Sequence, residues 1–289
     1  MVSVVIPAFN EEAVIGRCLR ALLEGSQPGE LEIIVACNGC RDRTAERARS
    51  FGAPVTVIEV PVASKVAALN AADELARSFP RFYVDADVVL PLSSLRAIVA
   101  EMKDFGVLLA SPVARTNTSA SSLPVRMFYN VWLSLSYNRF MVGTGVYALS
   151  RIGRARFGDF PEVISDDGFV RSRFREEERV AVEAAPVYVT APATLRALVP
   201  VKVRSRLGGY ELAERYPSRV PRQRMSPRAI LSSLPRCWAL PWMLLVYFGI
   251  NLLVRIKACV EFRRIASFEW SRDHSSRGST GDHSRSIVS

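Results

Sequence analysis

Between Val2 and Ala110, short β-branched runs alternate with longer amphipathic stretches, and this alternation restricts the chain to a mostly parallel sheet flanked by helices. Strands are expected at Val2 to Ile6, Leu31 to Ala36, Val55 to Ile58, Phe82 to Val84 and Val107 to Ala110. Helical spacing fills the gaps. Glu11 to Leu23 gathers Val14, Ile15, Cys18, Leu19 and Leu22 on one face, and Lys65 to Arg77 gathers Val66, Leu69, Ala72 and Leu75. In such a sheet, ligands bind at the carboxyl ends of the strands.

Composition narrows the chemistry. The 289 residues suit one large α/β domain with an extension, and 49% apolar residues suffice for a sizeable core. The two histidines, His274 and His283, fall in a Ser-rich, Gly-containing tail expected to be disordered. The folded part therefore lacks a His-based nucleophile pair or His-ligated metal, and its chemistry rests on carboxylates, lysine, hydroxyls or thiols. Five cysteines, at 18, 37, 40, 237 and 259, follow no small-domain disulfide spacing, so a reducing compartment is expected. Cys37 and Cys40 form a CxxC without a second pair, read as a turn carrying two thiols rather than a zinc or redox centre.

The opening VSVVIPAF reads as a strand rather than a secretory signal, so the N-terminal domain is expected in the cytosol. The net charge of +10 is concentrated: Arg196 to Arg236 holds ten Lys or Arg against Glu211 and Glu214. The uncharged run CWALPWMLLVYFGINLLV, residues 237 to 254, follows directly. Spanning a hydrocarbon core takes about 20 apolar residues, so this run is marginal. Its far flank is also basic, through Arg255, Lys257, Arg263 and Arg264. A single span and a monotopic helix remain open, as does a core helix; basic residues on both sides suit an anionic lipid surface.

The middle of the chain is less regular. Residues 115 to 122 read as a loop, Leu123 to Arg139 as a helix, and GTGVYAL as a strand leading to an acidic stretch at 164 to 171. In FYVDADVV, Asp85 and Asp87 leave a strand end together. Like charges this close need a cation or donors, and hard oxygens suit Mg²⁺ or Mn²⁺; a capping turn is the alternative.

The segments MVSVVIPAFNEE, CNGCRDRT, SKVAALNAA, VDADV, GTGVYALSR and ISDDGFVR occur in the order seen in family 2 glycosyltransferases, and the chain resembles that family from Val2 to about Arg206. The resemblance implies a GT-A fold, a Rossmann-like α/β mixed sheet, and a nucleotide-diphospho-sugar donor. Pro7, Asn10 and Glu11 resemble the loop for base and ribose; Asn38 stands where many members carry aspartate, and Asp42 matches a second acidic position. An N-terminal helix cap is the other use of Asp42 with Thr44. Lys65 matches a nucleotide-contacting lysine, with Ala63 and Ser64 replacing the usual glycine. Asp87 resembles the divalent-cation ligand of D-x-D, supported by Asp85. Asp166 and Asp167 align with an acidic pair whose last member is the general base, which makes Asp167 the expected base and Asp166 the reserve. A first-turn acidic pair behind a Ser165 cap is the structural alternative. Inversion without a covalent intermediate follows from the implied role.

No Q-x-x-R-W occurs, and one apolar run is too little to line a polymer channel, so a non-processive enzyme is expected. Lys202, Arg204 and Arg206 lie at a similar distance downstream and are candidates for a pyrophosphate or lipid-phosphate contact. The expected division is a catalytic domain at 1–215, a basic linker at 216–236, a membrane-associating segment at 237–264 and a tail at 265–289. The acceptor class is left open among glycan, lipid-linked and small-molecule hydroxyls. An anionic membrane surface is the expected partner of the basic segment, not nucleic acid. Two rivals stand beside this reading. A sugar nucleotidylyltransferase wants a Gly-rich loop that PAFNEEAV lacks, and a membrane-bound scaffold without turnover would have little use for both acidic pairs.

Overall fold

The structure is a computed structural model that describes residues 1–104, 106–135, 144–217 and 241–262. Its elements are β1 (Val2–Ala8), α1 (Ile15–Leu23), β2 (Leu31–Asn38), α2 (Thr44–Arg49), β3 (Val55–Val60), α3 (Lys65–Leu75), β4 (Arg81–Val84), α4 (Leu92–Asp104), β5 (Leu109–Asn117), α5 (Leu123–Ser134), β6 (Val146–Leu149), α6 (Arg151–Arg154), α7 (Asp166–Arg171), β7 (Arg179–Thr190), α8 (Leu195–Arg215) and α9 (Pro241–Phe262). Seven strands form one sheet in the order β3-β2-β1-β4-β6-β5-β7. β1, β2, β3 and β4 run parallel, β6 is antiparallel to β4 and β5, and β7 pairs with β5 in parallel. The sheet is thus mixed, as expected.

Period-two alternation divides the sheet between two cores. Val4, Ile6, Ile33, Val35, Phe82, Val84 and Val146 face one layer, which also takes Ile15, Leu19 and Leu22 of α1 and Leu95 and Ile98 of α4. Val5, Ile34, Tyr83 and Tyr147 face the other, against Val66, Leu69 and Ala72 of α3 and Phe169 and Val170 of α7. Each fully buried Ile or Leu here contributes roughly 1.5–3 kcal/mol. The alternation also determines the site: continuing β4 by one residue past Val84 brings Asp85 onto the side of Tyr83 and Tyr147.

A third apolar cluster lies beside the sheet, where α9 packs on α5 and α8 through Tyr247, Ile250, Val254 and Ala258 against Phe128, Val131, Leu198, Val203 and Leu207. The Phe128 and Tyr247 rings stack with centroids 5.2 Å apart.

Several boundaries differ from the sequence reading. Helix α1 begins at Ile15, because Glu11 to Val14 form the turn that enters it. β5 begins at Leu109 and runs to Asn117, through residues read as loop: Arg115 to Asn117 pair with Tyr188 to Thr190. β7 itself has no counterpart in the sequence reading. It is an edge strand with a register shift at Pro112/Val113, and its mixed residues, among them Glu183 and Pro186, break the alternation that marks a strand. α5 ends at Ser134, with Leu135 extended as its cap; residues 136–139 of the helix expected to Arg139, most of the basic linker, residues 237–240 and 263–264 and the tail lie outside the described residues.

Candidate active site

The carboxyl ends of β1, β2 and β4 meet where the strand order reverses between β1 and β4, α3 carrying the chain across from β3, and the candidate residues gather along this edge. Lys65 is the first residue of α3. Its helix is capped by Ser64, whose Oγ accepts from the Ala67 amide at 3.1 Å and donates to Glu162 Oε1 at 3.0 Å. This cap, in place of the glycine expected there, sends the Lys65 side chain over the sheet edge. Lys65 Nζ lies 2.8 Å from Asp85 Oδ1 and 2.9 Å from Asp166 Oδ1. Tyr147, on the face shared with Asp85, donates from its hydroxyl to Asp166 Oδ2 at 3.4 Å and stacks on Tyr83 with centroids 4.8 Å apart. Carboxylates from two segments far apart in sequence thus converge on one ammonium.

Burial disfavours the Lys65 charge, but Asp166 and Asp85 more than offset it, so its pKa is raised and the lysine stays protonated. Burial pushes the Asp166 carboxyl up, and Asp167 and Asp85 add to this against the pull of Lys65. The Tyr147 phenol is raised by burial and by Asp166, so it remains a donor.

Asp167 differs from its neighbour. Its Oδ1 accepts from Ser165 Oγ at 2.6 Å and from the Gly168 amide at 2.7 Å, whereas its Oδ2 takes no hydrogen bond from the described residues. Ser165 Oγ also accepts from the Gly168 amide at 3.2 Å, so the Ser165 cap and a side-chain oxygen open to an incoming group coexist. The segment rests on α8, where Glu211 Oε2 accepts from the Ile164 amide at 2.7 Å.

Asp85 is placed by Gly145. The Asp85 amide donates to the Gly145 carbonyl at 2.8 Å, and Gly145 has a φ of 61°. A Cβ there would lie 2.6 Å from Val88 Cγ2 and 3.1 Å from Asp85 Oδ2. Asp87 is exposed beyond the strand end. Among the described residues no group of three His, Cys, Asp or Glu side chains is arranged as metal ligands. Two hard carboxylates at a strand end nevertheless fit a cation such as Mg²⁺, which is ordinarily held by one or two carboxylates together with substrate phosphates.

At the β1 and β2 ends, Asn38 is 1% exposed and its Nδ2 has no hydrogen-bond partner among the described residues. An unmade bond of this kind costs about 1–3 kcal/mol unless a ligand supplies the acceptor. Asn10, at a φ of 52°, accepts the Arg41 amide on Oδ1 at 2.8 Å. Asp42 directs Oδ1 to the Thr44 amide (3.0 Å) and hydroxyl and Oδ2 to the Glu12 amide (3.1 Å), while Thr44 Oγ1 accepts the Glu11 amide at 2.7 Å. The cap and the loop lock are one arrangement: Asp42 and Thr44 fix the 10–12 loop that follows Pro7. Cys40 Sγ sits in the same loop, 3.4 Å from the Asn10 amide and 3.3 Å from the Ala8 carbonyl. Hydrogen bonds from the Cys37 thiol, the Asn10 amide and Thr44 hold Cys40 down to about 6, against burial.

Lys202 and Arg206 are directed to the third cluster. Lys202 Nζ lies 4.0 Å from the Trp132 ring centroid, 5.1 Å from that of Tyr129 and 5.4 Å from that of Phe128, and burial lowers its pKa to about 8. Arg206 donates to Asn251 of α9 at 3.3 Å. Arg204 is half-buried on the same helix.

Sequence reasoning passed over Tyr147, Gly145 and the ion network beneath β4, in which Asp73 receives Arg81, Arg154 and the Tyr83 hydroxyl. Tyr147 was within reach, since it alternates with the apolar residues of GTGVYAL. The Asp73 network was not, because Arg154 comes from 81 residues away.

The mixed seven-stranded sheet, with carboxylates and a lysine gathered at the carboxyl ends of its strands, has the GT-A fold of its structural neighbours. The profile of glycosyl transferase family 2 matches residues 3–151, and the chain belongs to that family. The structure is similar to the mannosyltransferase PcManGT from Pyrobaculum calidifontis in complex with GDP-Man and Mn²⁺, at 21% identity and a TM-score of 0.60, covering 92% of this chain and 79% of that one. It is also similar to M. tuberculosis glucosyl-3-phosphoglycerate synthase (21%, TM-score 0.55, covering 74% and 80%) and to S. aureus TarS 1–349 in complex with UDP-GlcNAc (16%, TM-score 0.52, covering 73% and 66%). No curated protein matches the chain by sequence. The family sets aside the nucleotidylyltransferase and scaffold readings: the chain is a glycosyltransferase.

Proposed function

We propose that the enzyme transfers a sugar from a nucleotide-diphospho-sugar to an acceptor hydroxyl, with inversion, with the aid of a divalent cation and with Asp167 as the general base. The observation that carries this reading is the convergence of Lys65, Asp85 and Asp166 at 2.8 and 2.9 Å. Two carboxylates hold one ammonium and Asp167 adjoins Asp166, so the site carries three carboxylates against one lysine and is too negative to receive a diphosphate without a further cation. Asp87, supported by Asp85, would hold a divalent cation with the donor's phosphates; when bound, it neutralises the leaving diphosphate. GDP-Man with Mn²⁺ on PcManGT is consistent with this choice.

The protein's own groups divide the remaining work. Asn38 Nδ2 donates to an acceptor atom of the base, and the Pro7, Asn10 and Glu11 loop, locked by Asp42, forms the nucleoside wall. Lys65 faces the diphosphate. Asp167 Oδ2 takes the proton of the attacking hydroxyl on the side opposite the leaving group, which inverts the anomeric carbon. Asp166, with Oδ1 on Lys65 and Oδ2 on Tyr147, orients Lys65 rather than the acceptor.

The apolar α9 and the basic residues around it support a position on the cytosolic membrane face, where a lipid-linked acceptor would be delivered. Lys202, Arg204 and Arg206 then belong to this acceptor side, a second phosphate contact apart from the donor edge. The test is donor hydrolysis across UDP-, GDP- and dTDP-sugars with and without Mn²⁺. Hydrolysis of one donor that EDTA stops is expected, and no binding or turnover of any nucleotide-sugar would refute the reading.

A further inference from the structure

Helix α9 is long and apolar enough to cross a membrane. Its surroundings argue for a different placement. From Pro241 to Val254 the helix has fourteen uncharged residues, about 21 Å of rise, against about 30 Å of hydrocarbon. The charges Arg255, Lys257 and Glu261 then occupy its last third.

The outward apolar face does not stop at those charges. Leu245, Phe248, Leu252, Ile256 and Val260 are all exposed, and at about 100° per residue they share an arc of about 120°. Arg255 and Lys257 fall outside this arc, one on each side between it and the packed face of Tyr247, Ile250, Val254 and Ala258, and Glu261, near the helix end, lies on the packed side. The pattern is therefore layered around the helix and not along it. Apolar residues point outward over the full length, basic charges line the borders, and the third face is held by the protein.

That third face excludes a crossing. It rests on α8, through Arg206 to Asn251 at 3.3 Å and Tyr210 against Phe262 at 5.6 Å, and on α5 through Phe128. A crossing α9 would draw α8, with Lys202, Arg204 and Arg206, into the hydrocarbon, at a high desolvation cost. α8 also carries Glu211, which holds the Ile164 amide beside the Asp166 and Asp167 pair.

We propose that α9 lies in the plane of one leaflet of an anionic bilayer, its outward stripe among the acyl chains and its borders at the headgroups. This rests on the membrane reading above and makes it specific. Charge complementarity identifies the occupant: residues 216 to 240 carry Arg219, Arg222, Arg224, Arg228 and Arg236 with no acidic residue, and Arg263 and Arg264 follow the helix. Because α8 touches both α9 and the acidic pair, the bilayer and the proposed base are held at a fixed separation.

The experiment uses the full chain on vesicles of phosphatidylcholine and phosphatidylglycerol, with nitroxide labels placed singly at positions 245, 252 and 260 after Cys40, Cys237 and Cys259 are replaced by serine. Depth is read from oxygen and nickel-chelate accessibility. An in-plane helix gives nearly equal, shallow depths at all three positions. A spanning helix gives a progression of about 22 Å between 245 and 260, which would overturn the proposal, as would labels that stay in water on a vesicle-bound chain. Dipolar broadening between labels of separate chains would assign the face to a second copy and also overturn it. Sedimentation of the unlabelled wild-type chain with the same vesicles is run alongside; no binding there would overturn the membrane reading itself. Leu252→Glu with Ile256→Glu gives a label-free check: vesicle binding falls at least tenfold while the thermal melt and donor hydrolysis in solution are retained, and unchanged binding counts against the proposal.

Discussion

Lys65 Nζ and Asp166 Oδ1, 101 residues apart in the chain, form a 2.9 Å ion pair at the centre of the candidate site. The pair joins α3 to α7, and Asp166 is almost fully buried. Lys65→Met leaves Asp166 without its counter-charge. A stability loss of about 3 kcal/mol is expected in urea unfolding at neutral pH. Acidification should recover part of the loss, because protonating the orphaned Asp166, already raised by burial, removes the buried charge. A variant as stable as wild type at neutral pH would show that the pair does not hold these elements together.

Gly145→Ala probes how the strand end holds Asp85. The left-handed backbone and the contact with Val88 predict a cost of about 1–3 kcal/mol and a displaced Asp85. Donor affinity should fall with stability, and thermal melts beside donor titrations measure both. Retained affinity in a destabilised variant would remove Gly145 from the positioning of Asp85.

Asp167→Asn should retain donor binding and lose roughly 10²- to 10⁴-fold in transfer rate. Asp166→Asn should instead weaken donor binding and stability together, since both its oxygens are engaged within the protein. Donor titration with single-turnover rates separates the two. Normal transfer by Asp167→Asn would exchange the roles or place the base elsewhere.

The cation assignment predicts that calorimetric donor binding weakens in EDTA, is restored by Mn²⁺, and that Asp87→Asn no longer responds to either. Donor affinity unaffected by chelation in the wild-type chain would leave charge neutralisation to Lys65 alone.

Cys40 should alkylate with iodoacetamide with a midpoint near pH 6, since its folded pKa is lowered to about 6. Cys18, raised to about 12 by burial and by Asp87 and Asp85, should stay unreactive through neutral pH. A lowered thiol pKa contributes stability above the unfolded value, near 8.5, and that contribution is lost as pH falls through about 6. Mass-spectrometric rates from pH 5 to 9 test this, and a midpoint at the unperturbed value would discount the hydrogen bonds that Cys37 and Asn10 make to the thiol.

The first four strands and the start of α3 were legible because local alternation and helical spacing are written residue by residue. β7 was not legible. It is an edge strand whose pairing with β5 changes register at Pro112/Val113, and edge pairing imposes no clean apolar period. The candidate site residues were legible as motifs, but their relations were not. Asp42 was read with both a ligand and a capping use, and only the packed loop ties its oxygens to Thr44 and Glu12.

Legible without any structure are the α/β class, the strand ends that carry Asp85 and Asp87, the acidic pair at 166 and 167, the absence of histidine from residues 1 to 273, and one marginal apolar run. Each of these depends on residue type or short-range spacing. Tertiary packing alone makes Lys65 bridge Asp85 and Asp166, holds one Asp167 oxygen on Ser165 and Gly168, seats Lys202 among aromatic rings and lays α9 along α5 and α8. Those outcomes depend on which elements pack against which faces. Packing is set by the summed burial of residues distant in the chain, which no local pattern encodes.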